Sequence, residues 1–130
     1  MPGMKHYTKV VRTDDGGSRF EDAELRLTEQ RIVDGVPPMF TGGLSASAAV
    51  TFLRSADFDS DPHPAPREQW VVMLRGAIEV EVSDGARRRF QAGDLVFVAD
   101  TSGRGHVTVA VGEPPFEALF VPAPCPPSVD

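Results

Sequence analysis

The residues from Asp61 to His106 constrain the fold most, because four short stretches of β-forming residues are packed there between tight turns. Residues 68–74, EQWVVML, form an apolar run rich in β-formers; residues 77–83, AIEVEVS, alternate apolar and charged side chains; residues 95–99, LVFVA, are again unbroken and apolar. Each reads as a strand. Gly76 separates the first two, and Asp84-Gly85 is a hairpin signal before the short RRRF strand, since Gly accepts the positive φ of a tight primed turn. Ala92-Gly93-Asp94 then turns the chain into LVFVA. Strands so short and so closely spaced predict an antiparallel all-β barrel or sandwich with little helix.

On either side the pattern continues more loosely. Residues 5–12, KHYTKVVR, predict a first strand, and Asp14 to Ser18 a turn. Residues 20–33 alternate around Ala23, Leu25 and Leu27 and read as strand, although Glu, Ala and Leu also suit a short helix. Pro37-Pro38 and Gly42-Gly43 then break the chain. Residues 44–54, LSASAAVTFLR, are expected to place Ala46, Ala48, Val50 and Phe52 on one face, where small side chains leave room inside a barrel. The prolines of VPAPCPPSVD, residues 121–130, are expected to stop any ladder and leave a surface tail. One domain over 1–130 is therefore expected, with N-terminal strands and loops to about residue 40, a barrel core over 44–121 and a Pro-rich tail over 122–130.

A chain of 130 residues with 41% hydrophobic content suits a single modest core, and one cysteine excludes an internal disulfide framework. The formal net charge of −6 argues against nucleic acid or an anionic membrane as partner, because phosphates are bound through clustered Lys and Arg. The one basic cluster, Arg87-Arg88-Arg89, would alternate faces on a strand and reads as a solvated edge. Met1 to Gly17 has no apolar core of a signal peptide, and no run reaches the length of a membrane span, so a cytoplasmic protein is expected. Cys125 has no histidine near it in sequence and reads as incidental.

The order of histidines, glycines and strands resembles the cupin family of small jelly-roll barrels, many of which hold a metal inside. In the family's first motif a His-x-His pair is followed by Glu and then Gly; here His63 falls on the first histidine, Ala65 on the second, Gln69 on the glutamate and Gly76 on the glycine. The second motif runs from Gly93-Asp94 through a strand to His106, with Ala99 in place of a proline and a longer turn over Thr101 to Gly105. The resemblance covers roughly residues 60–111 and implies an antiparallel jelly-roll barrel. It also implies a site at His63, Gln69 and His106, where a divalent metal such as Zn, Ni, Fe or Mn could bind.

Neutral imidazole is the commonest metal ligand and also an acid or base near neutral pH, so His63 and His106 are the catalytic candidates as well. Against a metal, Ala65 removes one ligand of the pattern and Gln69 replaces a charged oxygen by a neutral carboxamide. Asp57, Asp59 and Asp61 either supply a substitute ligand or form a solvated acidic loop. His6 matches nothing and reads as an ordinary strand residue. Period-two alternation puts Arg67 on the face of His63 and Gln69, where it either clamps an anionic ligand or pairs with Glu68 at the rim. The same face continues through Val71 and Met73, and then Ile78, Val80 and Val82 on the next strand, so the lining is expected to be apolar. Arg67, Gln69 and Met73 are thus the ligand-binding candidates.

The function expected is the binding of a small organic molecule in the barrel, with binding or sensing without catalysis as one form of it. The alternative is a metal-dependent enzyme of dioxygenase or isomerase type, or a metal-free one with a histidine as acid or base. A homodimer is expected too, because Val107, Val109 and Val111 would face outward if His106, Thr108 and Ala110 face inward, and Trp70, Val72 and Leu74 repeat the pattern. The cover could be a second subunit or the chain's own N-terminal segment.

Overall fold

The computed structural model describes residues 3–55, 61–112 and 115–126. Among these the protein is all-β, without a helix, and so without a helix long and apolar enough to cross a membrane. The strands are β1 (Met4–Arg12), β2 (Ser18–Arg26), β3 (Thr28–Gln30), β4 (Met39–Thr41), β5 (Thr51–Ser55), β6 (Gln69–Arg75), β7 (Ala77–Glu81), β8 (Arg87–Gln91), β9 (Leu95–Val98), β10 (Val107–Val111) and β11 (Phe116–Pro122). Six of them form one sheet in the order β2-β1-β9-β6-β11-β5, and three form a second in the order β10-β7-β8. The short β3 and β4 pair only with each other.

The tight turns behave as their residues dictate. Gly85 adopts φ 91° between β7 and β8, and its amide closes the turn on the Val82 carbonyl at 3.0 Å. Gly76 takes φ 70° between β6 and β7 and lies against the backbone of Phe116, where a Cβ would meet Phe116 Cα at 2.9 Å. Only a glycine fits there.

The two larger sheets share a core to which both contribute. Val71 and Met73 of β6, Val96 and Val98 of β9 and Ala118 of β11 cluster with Ile78 and Val80 of β7 and Phe90 of β8. On the other face of the six-stranded sheet, Trp70 meets Tyr7 edge to face at 4.8 Å and Phe97 at 5.0 Å. Leu44, Val121 and Ala123 join that cluster. The outward row that begins at Trp70 is therefore covered in part by the protein's own N-terminal strands and C-terminal segment, although Leu74 stays exposed.

Three expectations are corrected here. The sheet is not wholly antiparallel: β1 runs parallel to β9, with Thr8 opposite Val96 and the Ala99 amide donating to the Val10 carbonyl at 2.8 Å. Parallel neighbours need a long connection, and β2 to β8 supply it. The stretch 44–54 is not one strand, since β5 begins only at Thr51, and it turns Leu53 to the core and Phe52 to solvent. Among the described residues, 44–50 belong to no ladder that would impose alternation on them, and Ala46, Ala48 and Val50 are exposed. Finally, Val121 and Pro122 continue the ladder of β11, with Pro122 opposite Gln69. Proline lacks only the donor: its carbonyl accepts from the Ser47 amide at 2.8 Å, and the Ala123 amide donates to the Glu68 carbonyl at 3.2 Å.

Candidate functional site

The histidines at the two ends of the constraining stretch meet. His63 and His106 form an isolated antiparallel bridge in which each amide donates to the other's carbonyl, at 3.1 and 3.0 Å. The next contact along, from the Ala65 amide to the Asp100 carbonyl at 3.0 Å, fixes the segment before β6 against the loop after β9. Gly105 makes this approach possible. Its φ is 74°, and a Cβ on it would overlap the His63 carbonyl, so the two segments could not close over a larger residue. Ser18 steadies the loop from β2 by donating its hydroxyl to the Gly105 carbonyl at 2.6 Å.

The imidazole rings lie 5.5 Å apart, centroid to centroid, and both histidines line a cavity of about 500 Å³ between the two sheets. Gln69, the first residue of β6, lines the same end and is almost fully buried. Val71, Ile78, Val80, Val96, Val98 and Phe120 make most of the remaining wall apolar. That size and that mixture suit a small-molecule site.

Hydrogen bonds assign the rings' protons. The Nδ1 of His63 lies 2.8 Å from the Asp61 carbonyl, which can only accept, so that nitrogen carries the hydrogen and Nε2 keeps its lone pair. The Nδ1 of His106 lies 2.6 Å from Oδ2 of Asp100 and donates to the carboxylate, and in the neutral ring Nε2 is then an acceptor too. Asp100 is fully buried, and its Oδ1 has no hydrogen-bond partner among the described residues. A buried carboxylate with one oxygen spent on an imidazole is the arrangement that fixes a histidine's tautomer and orientation.

Of the residues singled out from sequence, the structure brings His63, Gln69 and His106 together and leaves others apart. Arg67 is exposed and does not line the cavity, because β6 starts at Gln69 and the bends over residues 66–68 carry no period-two alternation. The arginine in the wall is Arg54, which is held by Glu117 through Nε and a second nitrogen, both at 2.7 Å. Met73 is buried in the shared core beside the cavity and is not part of its wall. Asp57 and Asp59 lie outside the described residues; Asp61 is exposed and reaches His63 through its carbonyl. His6 is exposed and contacts Asp22 at 3.2 Å. Asp100 escaped the sequence reading, and the one trace of it is a charged residue that closes the apolar run LVFVA.

As a metal site this donor set is a poor fit. Mononuclear centres usually offer three or four good ligands, whereas here there are two imidazoles and a neutral amide, and Asp100 is engaged behind His106. Among the described residues no three His, Cys, Asp or Glu side chains are grouped to hold an ion. No protein-family model matches the chain, and no curated protein matches it.

Proposed function

We propose that this protein is a cupin-like jelly-roll barrel that holds one small, largely apolar organic molecule between its sheets, with the molecule's polar end at His63, Gln69 and His106. The observation that carries this reading is the cavity of about 500 Å³, apolar over most of its wall with a few polar groups set in it, His63, Gln69 and His106 among them. Small-molecule sites fall in the range of roughly 300–1,000 Å³, with few polar groups set in an apolar lining. Toluene tests the apolar part alone. Calorimetry is expected to show saturable binding to the wild-type protein and none to Val80→Phe, which fills the cavity from β7. Absence of saturable binding, or equal binding by the filled variant, would overturn the reading.

A second reading, metal-free acid–base catalysis, is favoured by one observation, the carboxylate of Asp100 behind His106. An imidazole oriented by a carboxylate and open at Nε2 is equipped to take a proton from a bound molecule. Its test is exchange of the protons beside the carbonyl of bound cyclohexanone for solvent deuterium, followed by NMR. Exchange no faster with the wild-type protein than with His106→Phe would remove it.

A further inference from the structure

The polar end of the cavity has a definite hydrogen-bonding sense, and that sense selects a class of ligand. Nδ1–H of His63 is spent on the Asp61 carbonyl and Nδ1–H of His106 on Asp100, so each ring in its neutral form turns a lone pair, and no hydrogen, to whatever lies beside it. Two acceptors thus stand at one end. Gln69 adds a carboxamide, which can both donate and accept. The cavity wall contains a single arginine, Arg54, and its guanidinium is already paired with Glu117. An anion placed here would face two imidazole lone pairs and find no uncommitted cation in the described wall.

We propose that the ligand carries a neutral hydroxyl, as a phenol or an alcohol on an apolar body does, and that this hydroxyl donates to Nε2 of His106 while accepting from the Gln69 amide. This rests on the cavity reading above and deepens it by naming the ligand's polar group. His106 is the better acceptor of the two histidines, because it is buried and Asp100 holds its ring in one tautomer, whereas His63 is half-buried and held by a single exposed carbonyl. A hydroxyl satisfies both His106 and Gln69. An ether or a plain hydrocarbon of the same shape leaves the Nε2 lone pair without a donor and binds more weakly for it. Asp100 acts as a positioning residue, since it decides which ring nitrogen is the acceptor.

The probes are 4-methylphenol, its methyl ether 4-methylanisole, and 4-methylbenzoate, which share one apolar body and present a donor, an acceptor and an anion respectively. At neutral pH the phenol is expected to bind wild-type protein about tenfold more tightly than the ether or more, in keeping with the loss expected when a buried polar group is left unpaired. The benzoate is expected to bind more weakly than the phenol. In His106→Phe, which keeps an apolar ring in place, the preference for phenol over ether should vanish while the ether still binds. Asp100→Asn offers a second arm that does not depend on losing the histidine. Its amide can donate to Nδ1 and move the ring hydrogen to Nε2, so the phenol preference should shrink in a protein whose circular dichroism is unchanged. Equal binding of phenol and ether to the wild-type protein, or tighter binding of the benzoate, would overturn the hydroxyl assignment and leave the cavity reading standing. If toluene shows no saturable binding, the cavity reading itself falls.

Discussion

The α-carbon of Gly105 lies directly against the carbonyl of His63, and the bridge between His63 and His106 depends on that approach. Substitution by alanine would strain a residue at φ 74° and drive a methyl group into backbone that cannot yield. Gly105→Ala is therefore expected to lower stability by about 2 kcal/mol or more. Urea denaturation checks it. The same change at Gly93, also at positive φ but with open space around it, should cost less, and equal losses at the two positions would refute the packing argument.

Asp100 and His106 form a buried pair, so their substitutions should not be independent. Removal of the carboxylate in Asp100→Ala is expected to cost about 2 kcal/mol, within the range for a hydrogen bond to a charged group. A double-mutant cycle with His106→Phe should return a coupling of about 1 kcal/mol or more. Additive losses would show that the 2.6 Å contact contributes nothing of its own.

Much of the frame was legible in sequence because it rests on local chemistry. Gly76, Gly85 and Gly93 mark turns whose positive φ the lack of a Cβ allows, and the alternation through Val71, Ile78 and Val80 marks one buried face. The meeting of His63 and His106 was legible only through the order of residues that resembles a cupin. Asp100 was not legible, since it reaches His106 across a loop and no fixed spacing links a buried carboxylate to the ring it orients. Arg67 was misplaced because alternation was extended upstream of Gln69, into bends between prolines where no ladder enforces it. Leu53 and Phe52 exchange faces for the same kind of reason, as nothing local in LSASAAVTFLR fixes where pairing with β11 begins.

Most of the large apolar side chains left exposed fall between Ile32 and Phe52, among them Val36, Met39, Phe40 and Val50. In the same region β5 forms an end of the six-stranded sheet and, among the described residues, pairs only with β11. An edge strand flanked by exposed apolar side chains invites a second copy, and antiparallel pairing of β5 with itself would close into a symmetric dimer. Sedimentation at micromolar concentration is expected to give a dimer of the 14.0 kDa chain, and Phe52→Asp with Phe40→Asp a monomer. A wild-type monomer would sink this expectation.

Asp22 sets a small acid-sensitive contribution to stability. The Arg88 guanidinium, 2.7 Å away and stacked over Phe20, holds the Asp22 carboxyl below its usual range. A carboxyl depressed in the folded state adds stability that is present above its unfolded value and lost as pH falls through the folded one. Between about pH 5 and pH 2 the urea midpoint of Asp22→Asn should accordingly fall less steeply than that of the wild-type protein. Identical slopes would mean that the exposed pair adds nothing.

Gln69 decides how the polar end treats a divalent ion. Both neighbouring imidazoles keep Nε2 lone pairs, and Asp100 behind His106 is the kind of partner that supports a metal-bound histidine. What is missing is a charged oxygen, because a carboxamide offers no charge to offset a divalent cation. Gln69 sits opposite Val98 on β9 and Pro122 on β11, so its backbone is held from both sides and a glutamate there would point where the carboxamide now points. Two histidines and a carboxylate are the donor set of common non-haem iron sites. Gln69→Glu is thus expected to raise affinity for Zn²⁺ or Ni²⁺ about tenfold or more over the wild-type protein, an effect worth roughly 1.4 kcal/mol. Adding His106→Phe to that variant should abolish the gain. Calorimetry showing no increase for Gln69→Glu would mean that position 69 does not belong with the two histidines as a ligand set.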